Sequence, residues 1–185
     1  MAYGRAAIRY AKSLIELSIE QNNLEAVKAD MDIIHGVCSE SKDLVLLLES
    51  PVIKKDKKLS VLNAVFGSQI SDLTNAFIKI LTEKGRESLI DDISAAFEDQ
   101  YLAHKNILRT VIKSVDGVND AFKAKVSEMV KAAYQKEALI IEEVDKGLIG
   151  GFVLTVGDKQ VDASISSKLA ELEKQFSINT YVKEY

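Results

Sequence analysis

The residues that could do chemistry are few and scattered. The chain has two histidines, His35 and His104, and one cysteine, Cys38. Both histidines fall in helical patterns, and neither belongs to a His/Cys/Asp/Glu set at metal-ligand spacing. Cys38 has no histidine partner at a recognisable spacing and reads as a buried thiol. Glu142-Glu143 and Asp91-Asp92 are adjacent carboxylates. Neighbours on a strand point to opposite faces, and neighbours on a helix sit about 100° apart, so neither pair forms an acid/base dyad by itself. Gly147-Leu148-Ile149-Gly150-Gly151 is the one glycine-rich stretch. A phosphate loop needs Lys-Ser/Thr and a helix after its glycines. Here Phe152-Val153-Leu154-Thr155-Val156 follows, which is a strand pattern. Lys54, Lys55, Lys57 and Lys58 cluster after Pro51 as a solvated helix start, without the interleaved aromatics of a nucleic-acid surface. No catalytic residue, metal site or cofactor site is expected.

Composition narrows the classes further. The 185 residues carry 24 basic and 28 acidic side chains, a formal charge of −4, and 47% are hydrophobic. That apolar fraction supports a buried core and excludes global disorder. The mildly acidic balance argues against a dedicated nucleic-acid binder. One cysteine forbids an internal disulfide. The longest aliphatic run, Leu44 to Leu48, is far below the roughly 20 residues that span a bilayer. No secretory leader is visible. A soluble, intracellular chain is expected, with any work at a membrane depending on a partner that holds it there.

The elements that must position these residues come in two kinds. Helical spacing predicts helices over 4–20, 23–38, 41–49, 55–66, 70–84 and 87–105. Gln21-Asn22-Asn23, Ser50-Pro51, Gly67 and Gly85 punctuate them. The period changes near residue 106. A strand is predicted over 107–115, a helix over 118–135 with Val118, Phe122, Val126, Met129, Val130 and Ala133 on one side, and strands over 139–144, 151–156 and 160–162. Asp145-Lys146-Gly147 and Gly157-Asp158-Lys159 are read as the turns between those strands. A last helix runs over 164–176 with Ser164 as its N-cap. The expected fold class is mostly α: a six-helix bundle over 1–105, then a small α/β domain over 106–185.

Two helices carry more apolar surface than one core face needs. Helix 1 is polar only along Arg5, Arg9, Lys12, Ser13, Glu16 and Glu20, which leaves an apolar arc of roughly 220°. The helix at 70–84 has an arc of roughly 200°, against roughly 140° for the helix at 87–105. Either the two wide helices are central and covered on both sides, or one flank of each lines a groove for a partner helix. The second helix, at 23–38, weakens the groove reading, since its arc is also wide although Asp30 interrupts it, and periodicity alone does not separate these readings.

A family resemblance bears on the choice. Gly147 to Ile165, with Asp162, Ala163 and Ser164 at its end, followed by Lys168-Leu169 and Leu172, resembles the C-terminal signature of the delta subunit of F-type ATP synthase. The mitochondrial counterpart of that family is the oligomycin-sensitivity-conferring protein. Arg9-Tyr10-Ala11-Lys12-Ser13-Leu14 resembles its opening helix. Glu83-Lys84-Gly85-Arg86 resembles its motif between the fifth and sixth helices. The resemblance implies a non-catalytic stator subunit at the cytoplasmic face of the cell membrane, without a cofactor. It implies a bundle that binds alpha-subunit N-terminal helices and a C-terminal domain that binds the b-type stalk. It places the groove on helices 1 and 5, at Tyr10, Ser13, Leu14, Leu17, Phe77, Ile80 and Leu81. It makes Gly85, Arg86, Gly150, Gly151, Gly157, Asp162 and Ser164 structural motif residues. Ala163 stands where many members have glycine, and a methyl group there requires a backbone outside the left-handed region. The competing readings are a small soluble enzyme with a cleft between the two domains, and a free helical adaptor.

Overall fold

Side-chain caps mark where helices begin. Ser41 Oγ accepts from the Leu44 amide at 3.4 Å, and Asn119 Oδ1 accepts from the Phe122 amide at 2.8 Å. Ser164 Oγ accepts from the Ser167 amide at 3.2 Å, as a serine N-cap does. In the computed structural model, which describes residues 3–177, these starts and their partners define eight α-helices. They are α1 (Arg5–Glu20), α2 (Leu24–Glu40), α3 (Lys42–Glu49), α4 (Lys55–Phe66), α5 (Asp72–Glu83), α6 (Ile90–His104), α7 (Asp120–Tyr134) and α8 (Ile165–Ser177). A 3-10 turn at Glu87–Leu89 leads into α6. The strands are β1 (Ile107–Ser114), β2 (Glu137–Val144), β3 (Phe152–Val156) and β4 (Lys159–Asp162).

Helix ends follow from backbone conformation. After α5, Gly85 takes φ +67°, its amide donates to Thr82 O, and the Arg86 amide donates to Leu81 O. That is a Schellman turn, and a glycine at its left-handed position carries no Cβ penalty. Asn22, at φ +54°, does the same after α1, with the Asn23 amide donating to Ser18 O. Gly67 departs from the expected pattern. It ends α4 within the right-handed region, at φ −56°, and its lack of a side chain serves space: a Cβ would lie 2.5 Å from Asn63 O.

The chain divides into two compact units between His104 and Lys105. In the first, α6 is the principal neighbour of both α1 and α2, while α5 packs chiefly on α4. The core holds Ala7, Ala11 and Leu14 of α1, Val27 and Ile34 of α2, Leu62 and Phe66 of α4, Ile78 and Leu81 of α5, and Ile93 and Phe97 of α6. Lys58 corrects the reading of its cluster as solvated. Its residue is 2% exposed, and its Nζ donates to Leu48 O at 2.6 Å and to Glu87 Oε1 at 2.7 Å. A long apolar stem with a paired head makes such burial tolerable.

In the second unit the sheet order is β2-β1-β3-β4. β1 and β2 are parallel, joined through α7, while β3 pairs antiparallel with β1 and with β4. Asp145-Lys146-Gly147 is therefore not a hairpin turn: it begins the passage from β2 to β3, which lies beyond β1. Strand patterns report which segments extend, not which lie side by side. One face of the sheet packs on α7 through Ile112, Leu154, Val126 and Val130. Met129 was expected on that apolar side and is 56% exposed instead.

Candidate functional site

The wide apolar arcs resolve into a buried centre and uncovered flanks. On α1 the centre is Ala7, Ala11, Leu14, Ile15 and Ser18. Leu17 stays 42% exposed on one side, and Ile8 and Ile19 stay 44% and 40% exposed on the other. On α5 the centre is Thr74, Ile78, Leu81 and Thr82, and Ile80 stays 51% exposed. The bundle therefore does not cover both sides of these helices.

The residues expected at a groove separate accordingly. Tyr10 and Phe77 are half-buried and meet edge-on, with ring centroids 6.4 Å apart at an interplanar angle of 70°. This contact brings the flanks of α1 and α5 together. Leu17 lies two turns beyond Tyr10 and Ile80 one turn beyond Phe77, so both sit on those same flanks. Ser13 is exposed on the α1 flank and donates its hydroxyl to Arg9 O at 3.0 Å. Leu14 and Leu81 are corrections. Their exposures are 0% and 1%, because each points 40° further round its helix, into the core. As seated, they hold the helices in place and present no surface. Leu73 was missed: it is half-buried and lies one turn before Phe77 on the same flank, a spacing visible in the sequence.

The motif after α5 reaches the same place. The Schellman turn at Gly85 directs Arg86 back toward α1, where its guanidinium stands 5.9 Å from the Tyr10 ring centroid. Such a cation over a ring is attracted by the ring's negative face.

In the second unit, Gly150 and Gly151 allow a close crossing. The Ile165 amide donates to Gly150 O at 3.0 Å, and the Ala163 amide donates to Phe152 O at 2.9 Å. Gly151 has φ +82°, and a Cβ on it would lie 2.4 Å from Ala163 O. Gly157 opens the β3–β4 turn at φ +56°. Asp162 Oδ1 accepts from the Ser164 amide at 2.8 Å, and its Oδ2 accepts from Ser167 Oγ at 2.7 Å. The Ser167 bond, then those from Ser164, hold its carboxyl below the ordinary value. Ala163 keeps a negative φ, so its methyl group is accommodated. Sequence reasoning also missed a stripe on α8. Ile165, Leu169, Leu172 and Phe176 recur at helical spacing and are 43%, 54%, 47% and 85% exposed.

Potential chemistry is sparse. His35 Nδ1 lies 3.2 Å from Asp91 Oδ1 and 3.4 Å from Ser94 Oγ. A catalytic triad needs the hydroxyl and the carboxylate on opposite ring nitrogens, but here both meet Nδ1, while Ser94 Oγ donates to Asp91 O at 2.7 Å. Burial first, and then the Asp91 charge, push the Cys38 thiol up to about 11, which keeps it protonated and inert. Among the described residues no group of three or more His, Cys, Asp or Glu could hold a metal ion.

The profile of the family described as ATP synthase delta (OSCP) subunit matches residues 6–176. The chain belongs to that family. The ATP synthase subunit delta of Christiangramia forsetii is 36% identical over 180 residues, covering 97% of each chain. That of Cytophaga hutchinsonii is 34% identical over 173 residues, covering 94% of each. The fold is also that of a chain in the cryo-EM structure of the Toxoplasma gondii mitochondrial ATP synthase hexamer, with a TM-score of 0.73 at 21% identity, covering 94% of this chain and 98% of that one. This delta/OSCP chain is thus a peripheral-stalk subunit of ATP synthase and not one of its catalytic chains. Among the described residues no helix is long and apolar enough to cross a membrane.

Proposed function

We propose that the facing flanks of α1 and α5 form a groove that holds the N-terminal helix of an alpha subunit of the catalytic head. The second unit binds the end of the b-type stalk. The chain then joins the head to the membrane sector from the cytoplasmic face of the cell membrane, and contacts the membrane only through the complex. The observation that carries this reading is the pair of uncovered flanks on α1 and α5, joined by the Tyr10–Phe77 contact in a member of the delta/OSCP family.

An amphipathic helix laid along such a groove buries its own apolar stripe and the receptor's. Covering side chains such as Leu17 and Ile80 contributes about 1.5–3 kcal/mol each before association costs. The α8 stripe supplies a separate apolar surface suited to a stalk helix. Two attachments on one chain reinforce each other through effective concentration. A tether of this kind makes and breaks no bonds: it keeps the head from turning with the rotor.

The test is a calorimetric titration of the full chain with a synthetic peptide of the alpha subunit's N-terminal residues. Binding is expected, with loss in Tyr10→Asp and Ile80→Asp while their circular dichroism stays that of the parent. Unchanged affinity in Ile80→Asp removes the groove assignment.

A further inference from the structure

Asp30 interrupts the apolar arc of α2, and the groove residues do not include it. It is 6% exposed, so its carboxylate requires partners. They all come from the start of α5. Asp30 Oδ2 accepts from the Ser71 amide at 3.0 Å, from Ser71 Oγ at 2.5 Å and from Thr74 Oγ1 at 2.6 Å. Ser71 is the N-cap of α5, and Thr74 is fully buried in its first turn.

We infer that Asp30 is a positioning residue for the groove, fixing where α5 starts and hence how far Phe77 and Ile80 stand from Tyr10 and Leu17. This rests on the groove reading. The backbone arrangement gives the reason. α1 and α2 share α6 as principal neighbour, so the three form one frame. α5 packs chiefly on α4 and meets that frame at α2, at Tyr10 of α1 through Phe77, and through the 3-10 turn that leads into α6. Apolar packing is non-directional and tolerates sliding, whereas three hydrogen bonds converging on one carboxylate oxygen fix register and angle. Lys55 Nζ donating to Glu83 O at 2.9 Å holds the other end of α5, but it does so from α4, which does not belong to the frame. The directional, hydrogen-bonded tie between the start of α5 and the frame is therefore Asp30.

The experiment compares full-length variants by their affinity for the alpha N-terminal peptide and by urea stability. Asp30→Asn keeps the shape and weakens that tie. Leu44→Val, in the core of α3, serves as a control, with its loss of stability measured alongside. Asp30→Asn is expected to weaken the peptide about tenfold and to reduce the nuclear Overhauser contact between the Tyr10 and Phe77 rings, while Leu44→Val stays within about twofold. If Asp30→Asn does not fold, Thr74→Val removes one of the three donors at constant volume and carries the same comparison. Wild-type affinity in Asp30→Asn, with Ile80→Asp inactive, overturns the positioning role and leaves the groove standing. An equal loss in Leu44→Val also overturns it, since the effect is then one of general stability. Retained binding in Ile80→Asp overturns the groove reading and this inference together.

Discussion

At the residue scale, neighbouring positions on one helix have opposite duties. Ile80 is half exposed and Leu81 is buried, though they are adjacent in sequence. Leu81→Ala and Leu14→Ala should each cost about 2–5 kcal/mol in urea unfolding, as buried leucine truncations do. Leu17→Asp and Ile80→Asp should stay within about 0.5 kcal/mol of the parent, because they alter surface away from the core. A large loss in the second pair would mean that these flanks are already covered. Lys58 and Glu87 give a second residue-scale expectation. Burial pushes the Glu87 carboxyl up, but the Lys58 hydrogen bond and charge, with a backbone bond and the Lys55 charge, outweigh it and hold it below the ordinary glutamate value. A carboxyl lowered on folding stabilises the fold above its unfolded value and ceases to do so as pH falls through its folded value. The parent should lose stability as pH drops below about 4.5, and Glu87→Gln should flatten that slope in acid titrations followed by circular dichroism. Parallel slopes would assign the acid sensitivity to other groups.

At the element scale, backbone conformation decides more than propensity. The Schellman turn at Gly85 both ends α5 and aims Arg86 at Tyr10, so a helix stop also shapes one end of the proposed groove. The crossing at Gly151 fixes where α8 leaves the sheet, because left-handed φ and the nearby Ala163 carbonyl exclude any side chain. Gly151→Ala should cost about 2 kcal/mol or more, the strain of a left-handed non-glycine residue plus a contact that forces the backbone to shift. Thermal denaturation measures this, and a parent-like midpoint would show that the crossing relaxes without cost.

At the scale of the whole molecule, the two units offer two apolar surfaces of similar kind: paired flanks on α1 and α5, and a single stripe on α8. If each holds its own partner, the losses separate. Leu172→Asp should abolish capture of the soluble b-type stalk domain and leave alpha-peptide affinity within about twofold, while Ile80→Asp does the reverse. Loss of both activities in either variant would show that the attachments are coupled through the chain.

Much was legible in the sequence, and the reasons are physical. Hydrophobic period and capping residues are local properties, so the six helices, the switch to strands after residue 106 and the Ser164 cap can be read from neighbours a few positions apart. The width of the α1 and α5 arcs was legible too, and so was the family through its motifs. What needed the tertiary structure was every question of which neighbour covers which surface. Period alone could not place Leu14 and Leu81 inside and Leu17 and Ile80 outside, since a wide arc contains both. It could not show that Lys58 is buried, because its partners Leu48 O and Glu87 lie in other elements. It could not order the strands, because a parallel pairing of β1 with β2 is set by the α7 crossover and not by the strands' own patterns. Local chemistry determined the elements of this chain. Long-range packing decided which of their faces are buried and which stay open to a partner.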